Sequence, residues 1–291
     1  MTQVVSFSAA DWHHQYPAAD QERAIGALEA GGVLYFPQLR FPIEAAEERL
    51  LSPAVARASK NVSLDHLDRA LRDSSVDETE LRLLRSMMQR FAESSGVLLR
   101  NLLPRYASGL QQARTSFRPV EIAGRASSWR KDDTRLHVDA FPSSPMQGRR
   151  ILRVFSNVNP HERNRTWLLG EPFESVARRH FAALHPPVWG ASRLLAWLGV
   201  TRGRRSAYDH FMLQIHDRMK ADADYQAGVA RIVHEFRAGS TWITFTDQVS
   251  HAAIAGQHAL EQSFYLPVAC MQDPAQAPLR TLERLAGRAL A

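Results

Sequence analysis

A single cysteine, Cys270, in 291 residues leaves no internal disulfide to close and no cysteine-based zinc site to fill; a reducing compartment suits such a chain. No apolar run reaches about 18 residues, so no membrane-spanning helix is expected. The amino terminus, MTQVVSFSAADWHHQYP, has no apolar stretch behind a basic one, and a secretory signal is not expected either. No H-E-x-x-H occurs, which removes a common zinc-hydrolase signature, and no fixed-period repeat or low-complexity run is present. What is present can build a sizeable core, with 45% hydrophobic and 23% charged residues. Lysine and arginine number 36 against 30 aspartate and glutamate. That balance favours anionic partners: nucleic acid, phospholipid headgroups or an acidic substrate.

Hydrophobic spacing orders the chain. Residues 20–31, DQERAIGALEAG, read as a helix with Asp20 as N-cap and Gly31-Gly32 as stop, followed by a strand from Val33 to Phe36. Helical spacing runs from Asp77 to Leu103. After Pro104, shorter alternating runs separated by Pro, Gly and Ser signal sheet. In the run Arg149 to Asn159, one face carries Ile151, Arg153, Phe155 and Asn157, and the other Arg150, Leu152, Val154 and Ser156. The mixed first face suits a ligand-bearing interior. Tyr208, Phe211, Met212, Ile215 and Met219 form a core stripe on a helix. Residues 183–205 combine Trp189, Leu194, Leu195, Trp197 and Leu198 with Arg193, Arg202, Arg204 and Arg205. They suit either the headgroup layer of a membrane or a core helix with a basic exit loop. Strands are expected over Thr241 to Thr246 and Ala259 to Val268. The expectation is one domain over 1–291: a helical support region at 1–105, a sheet core at 106–270 with an insertion at 175–235, and a C-terminal helix at 276–291. Helices would flank a mainly antiparallel sheet.

The chemistry concentrates in Trp129 to Pro160, WRKDDTRLHVDAFPSSPMQGRRILRVFSNVNP. His137 and Asp139 are two residues apart, so in extended chain they share a face, and His251 would complete two imidazoles and a carboxylate. That set, with the opposite positions open, is the arrangement of non-haem Fe(II) oxygenases. The triplet alone is not specific, since His66-Leu67-Asp68 repeats it. There, Leu64, Leu67 and Leu71 recur at helical spacing, which would turn the pair apart. Three protein ligands leave room on iron for a bidentate 2-oxo acid and O2. The acid's distal carboxylate calls for a guanidinium, and Arg153, sharing a face with Asn157, is the expected partner, with Arg149 and Arg150 as rivals.

The segments HVDAFPSSP, GRRILRVFSNVNP, YDHFMLQIHDRMKAD and FTDQVSHAAIAGQHALEQSFYLP resemble the bacterial Kdo hydroxylases, over roughly Leu34 to Ala269. The resemblance implies an Fe(II)/2-oxoglutarate-dependent dioxygenase on an α+β, mainly β fold: a double-stranded β-helix (jelly-roll, cupin-like) core with flanking helices. It implies hydroxylation of C3 of 3-deoxy-D-manno-oct-2-ulosonic acid (Kdo) in the lipid A-linked inner core, giving D-glycero-D-talo-oct-2-ulosonic acid. His137, Asp139 and His251 match the family's metal ligands. Many members of the wider superfamily carry a basic residue on the strand after the second histidine; here that strand offers Gln262, which donates a hydrogen bond without a charge. Arg130, Lys131, Arg135 and Arg149 are the expected substrate-binding residues. The implied partners are Kdo-lipid A and the cytoplasmic face of the inner membrane rather than nucleic acid. The alternatives are a 2-oxoglutarate dioxygenase for another sugar or lipid, and an inactive membrane-surface binding protein.

Overall fold

The computed structural model describes every residue except Met1, Ala58, Ser59, Ala126 and Trp189. In chain order its strands are β1 (Val4–Ser6), β2 (Val33–Phe36), β3 (Val62–Leu64), β4 (Leu71–Arg72), β5 (Gln111–Arg118), β6 (Arg150–Asn157), β7 (Arg165–Leu169), β8 (Ile232–Phe236), β9 (Thr241–Phe245), β10 (His251–Ala255) and β11 (Ala259–Leu266). Eight form one sheet in the order β1-β2-β9-β6-β11-β5-β3-β4, antiparallel except for β1 on β2, and β10-β7-β8 form a second, antiparallel sheet. The region expected as helical support therefore also supplies β1 to β4, half of the large sheet.

The helices are α1 (Ala18–Glu29), α2 (Glu78–Leu102), α3 (Phe173–Phe181), α4 (Ala191–Trp197), α5 (Ala207–Ala221), α6 (Ala223–Gly228) and α7 (Pro278–Ala286). Together they hold more residues than the strands, so the fold is mixed α/β and not mainly β. α1 starts earlier than expected: Pro17 occupies the N-cap without a side-chain cap, and Asp20 in the first turn pairs with Arg23 at 3.1 Å. α2 is one continuous helix whose N-cap, Asp77, accepts from the Glu80 N–H at 2.9 Å.

Alternation along the central strands sorts two cores. Leu152, Val154, Ile243, Phe245, Leu260 and Phe264 point outward and bury the apolar stripe of α2, Leu84 to Leu102. Phe155, Trp242, Phe236 and Trp167 point inward, toward the small sheet, as a stack of rings: Phe155 lies on Trp242 at 5.2 Å and Trp242 on Phe236 at 4.1 Å. On the outer face Arg150 is fully buried. Its guanidinium donates to Asp247 at 2.7 Å and Gln248 at 2.6 Å and lies over the Phe245 ring. This tie fixes the turn from which β10 and His251 depart.

Residues 64–72 are not helical. β3 and β4 form a hairpin whose turn is held by the Asp65 and Asp68 carboxylates, which accept from the Leu67 and Ala70 N–H groups. α5 buries Tyr208, Phe211, Met212, Ile215 and Met219 as expected. α4, in contrast, buries nothing, and Val188, Leu194, Trp197, Leu198 and Val200 are all more than half exposed. The core-helix alternative for residues 183–205 therefore fails, while Trp189 lies outside the described residues.

Candidate active site

His137 and His251 face each other as one antiparallel rung: the His137 N–H donates to the His251 carbonyl at 3.0 Å and the His251 N–H to the His137 carbonyl at 2.9 Å. Asp139 follows on the same face, its N–H bound to the Thr246 carbonyl at 2.8 Å. Chain segments more than a hundred residues apart thus set the three side chains by backbone pairing. One ligand atom from each of the three lies within 4.8 Å of the others.

The donor chemistry fits a divalent metal. Nδ1 of His137 sits 2.7 Å from the Arg135 carbonyl and Nδ1 of His251 2.8 Å from the Val249 carbonyl. Those contacts place the ring proton on Nδ1 and leave both Nε2 lone pairs for an ion, as in metal-binding histidines whose other ring nitrogen is braced by a carbonyl. Burial lowers the pKa of both imidazoles, and for His137 the neighbouring His251 lowers it further, so both stay neutral. Burial opposes ionisation of Asp139, yet the Arg153 guanidinium, helped by a hydrogen bond from Thr246, outweighs it and holds the carboxyl well below the ordinary range. Trp167 stacks on His251 at 5.1 Å, and His216 meets the edge of His137 at 5.4 Å while its Nδ1 contacts Asp217.

A chain of ion pairs runs from this cluster to the surface. Arg153 bridges Asp139 at 2.9 Å and Glu261 at 3.1 Å; Glu261 accepts from Arg118 at 2.6 Å; Asp133 binds Lys60 at 2.6 Å and Arg125 at 3.1 Å. Burial raises the cost of charging Glu261 and Asp133, but Arg118 and Arg153 for the first, and Lys60 and Arg118 for the second, keep both ionised. Arg118, Arg153 and Glu261 form the wall shared by the metal pocket and an adjoining cleft of about 610 Å³. Lys60, Arg114 and Arg202 also line that cleft, making it basic.

The expected site residues divide. Arg153 stands beside the metal cluster, but its charge is already matched by two carboxylates. Gln262 faces the other way: its neighbours Glu261 and Ser263 share a face with Arg153, whereas Gln262 points under α2, bonded to Thr115 and the Ala113 carbonyl. Cofactor binding by Gln262 is thereby corrected, since alternation puts it on the opposite side of the sheet. Asn157 lies on the inner face but spends its amide on the Arg163 and Phe236 carbonyls and its oxygen on the Asn159 N–H, a loop-bracing role. Arg149 reaches Gln111 and the Tyr265 ring at the cleft edge. Arg130 pairs with Asp217, Arg135 with Asp132, and the Lys131 carbonyl accepts from Lys60, and none of the three lines the metal pocket or the cleft.

Arg165 was not anticipated. It is 3% exposed and lines the metal pocket, and among the described residues no carboxylate lies within ion-pair distance; its one hydrogen bond reaches the Gly256 carbonyl at 3.4 Å. Burial, then the nearby Arg118 charge, lowers its pKa to about 10. A buried guanidinium without a counter-ion is costly unless a ligand supplies one. The only sequence cue was an arginine at the inward end of the alternating run RTWLL.

A family profile described as 3-deoxy-D-manno-oct-2-ulosonic acid (Kdo) hydroxylase matches residues 11–289. The chain belongs to the Kdo hydroxylase family. Among solved structures, the Kdo hydroxylase KdoO, a non-haem Fe(II) α-ketoglutarate-dependent dioxygenase, in complex with α-ketoglutarate and Fe(III), is 46% identical. That match covers 100% of this chain and 98% of the other, with a TM-score of 0.96. The cobalt(II) complex of KdoO is also 46% identical, covering 99% and 97% of the two chains with a TM-score of 0.97. No curated protein matches in sequence. As a Kdo hydroxylase family member the chain is an Fe(II)- and 2-oxoglutarate-dependent oxygenase, and its histidine–aspartate–histidine cluster is the metal-binding set that such chemistry requires.

Proposed function

We propose that the protein hydroxylates C3 of Kdo in the lipid A-linked inner core, giving D-glycero-D-talo-oct-2-ulosonic acid. The observation that carries this reading is the neutral His137/His251 pair with ionised Asp139, walled by Arg118, Arg153 and Glu261 from a basic cleft large enough for an acidic sugar. Bound iron, with 2-oxoglutarate and O2, supplies the oxidant that removes hydrogen from an unactivated carbon. The protein's residues do the rest. His137, Asp139 and His251 hold the metal, and Arg153 fixes the Asp139 carboxylate through its second oxygen. Arg165, rather than Arg153, receives the distal carboxylate of 2-oxoglutarate, because no carboxylate pairs with it directly whereas Arg153 is held by two. Trp167 and Phe155 line the pocket with rings that exclude water. Arg114, Lys60 and Arg202 attract the carboxylate of the sugar or the phosphates of its lipid anchor.

The two facing sheets with the metal cluster between them support a double-stranded β-helix, and one apolar core running from Phe7 to Leu290 supports a single domain. Among the described residues, no helix is long and apolar enough to cross a membrane. The exposed apolar residues of 188–200, with Arg193, Arg202 and Arg204 around them, support peripheral attachment to the cytoplasmic face of the inner membrane. Incubating extracted Kdo-lipid A with protein, Fe(II), 2-oxoglutarate and O2 tests the reading: mass spectrometry should show one added oxygen on Kdo, absent with His251→Ala. Succinate formed without any oxidised Kdo would assign the site to another substrate.

A further inference from the structure

Leu67 is 89% exposed at the tip of the β3–β4 hairpin. A lone exposed leucine is ordinary, but this one is presented rather than frayed. Both flanking aspartates lock the turn, and Arg69 takes the left-handed conformation at φ 53° to close it. Asp65, in the same turn, meets Arg202 at 3.7 Å. Arg202 ends the segment that begins with α4: the N–H groups of Val200 and Thr201 both turn back to the Leu195 carbonyl, and the Arg202 N–H is pinned to the Ser143 carbonyl at 2.9 Å. The exposed leucine and the exposed α4 residues are therefore joined at one place, and Asp65, His66, Leu67 and Arg202 line the same rim of the 610 Å³ cleft.

We propose that the β3–β4 tip and the α4 segment are two prongs of a single bilayer-docking surface that sets the rim of the substrate cleft against anionic headgroups. The proposal rests on the reading of residues 183–205 as membrane-associated and adds a second, sequence-distant contact and an orientation. The chemistry identifies the occupant. Leu67 on one prong and Leu194, Trp197 and Leu198 on the other are apolar tips too short to span, and Arg193, Arg202 and Arg204 stand at the depth of lipid phosphates. A bilayer fits an apolar tip inside a basic collar. The same placement brings a lipid-anchored sugar to the cleft without drawing its acyl chains into water.

The test is flotation of the full-length, metal-loaded protein with vesicles of phosphatidylethanolamine and phosphatidylglycerol, and with vesicles of phosphatidylcholine alone. Wild type should float with the anionic vesicles and weakly with the neutral ones. Leu67→Glu and Trp197→Glu should each lower partitioning by about tenfold or more, the loss expected when one large apolar side chain no longer enters lipid. Cobalt(II) binding, measured on the same samples, checks that each variant is folded. The vesicles contain no Kdo, so the outcome is independent of the sugar chemistry. Loss with Trp197→Glu but wild-type flotation of Leu67→Glu would overturn the second prong. Failure of wild type to float at all, or its self-association abolished by the same substitutions, would overturn the bilayer as occupant while leaving hydroxylation intact.

Discussion

Replacing Arg165 by methionine removes a buried positive charge that, among the described residues, no carboxylate pairs with directly, and two opposite consequences follow. Without ligand, the variant should be at least as stable as wild type, because an uncompensated buried cation is replaced by an apolar chain of similar length. With ligand, it should fail. Truncating one partner of a buried, hydrogen-bonded charge pair costs about 2–5 kcal/mol, so the Kd for 2-oxoglutarate should rise roughly thirtyfold to a few thousandfold. The assay is anaerobic titration of the Co(II)- or Fe(II)-loaded protein with 2-oxoglutarate, beside urea unfolding of the metal-free protein. Arg153→Met separates the roles: its guanidinium bridges Asp139 and Glu261, so that variant should first lose metal affinity. If Arg165→Met binds 2-oxoglutarate within about threefold of wild type, the assignment from unmatched charge is refuted.

Asp247→Ala should destabilise the protein by about 3–5 kcal/mol in urea unfolding, since it strands Arg150, which is fully buried on the outer face of the sheet. His258, lowered from 6.5 to about 4 by burial and by His161, binds a proton more readily unfolded than folded. Its contribution to stability is therefore present above about pH 6.5 and is lost as pH falls toward about 4. Unfolding midpoints measured across that window should decline on acidification, and His258→Asn should flatten part of the slope. A Cβ at Gly170 would meet the Ser250 hydroxyl oxygen at 2.7 Å, directly before His251. Gly170→Ala should therefore weaken Co(II) binding about tenfold, read by metal titration, with only a modest loss of stability.

The metal ligands were legible because two of them obey a local rule, the two-residue repeat of extended chain, and the third follows a strongly apolar strand. The stripe of α2 and the two faces of β6 were legible for the same reason. Gln262 was misplaced by a single residue, and in a sheet a single residue is the whole difference between site and support layer. The hairpin at 64–72 was misread because Leu64, Leu67 and Leu71 mimic helical spacing; yet Leu64 is buried in a strand and Leu67 stands in water. What decides that segment is the competition of the Asp65 and Asp68 carboxylates for backbone N–H groups, which hydrophobic spacing does not register. Arg165 was invisible for a different reason. An arginine's meaning in a buried site depends on which carboxylates reach it, and those come from β11 and the segment on either side of His137, fixed only by the tertiary fold.

The rung that joins His137 to His251 has a further consequence. The two imidazoles hang from paired backbone groups and are braced by their own chain carbonyls, so the bite of the site exists before any ion enters it. Chelation should then strip the metal without unravelling the fold, and the rung's amide protons should exchange slowly in the metal-free protein as well. A finished nitrogen–oxygen cradle of this kind binds late first-row ions more tightly than Fe(II). Correct loading then depends on which ion is available while the protein is made, and zinc or copper reaching it first would leave a folded but silent enzyme.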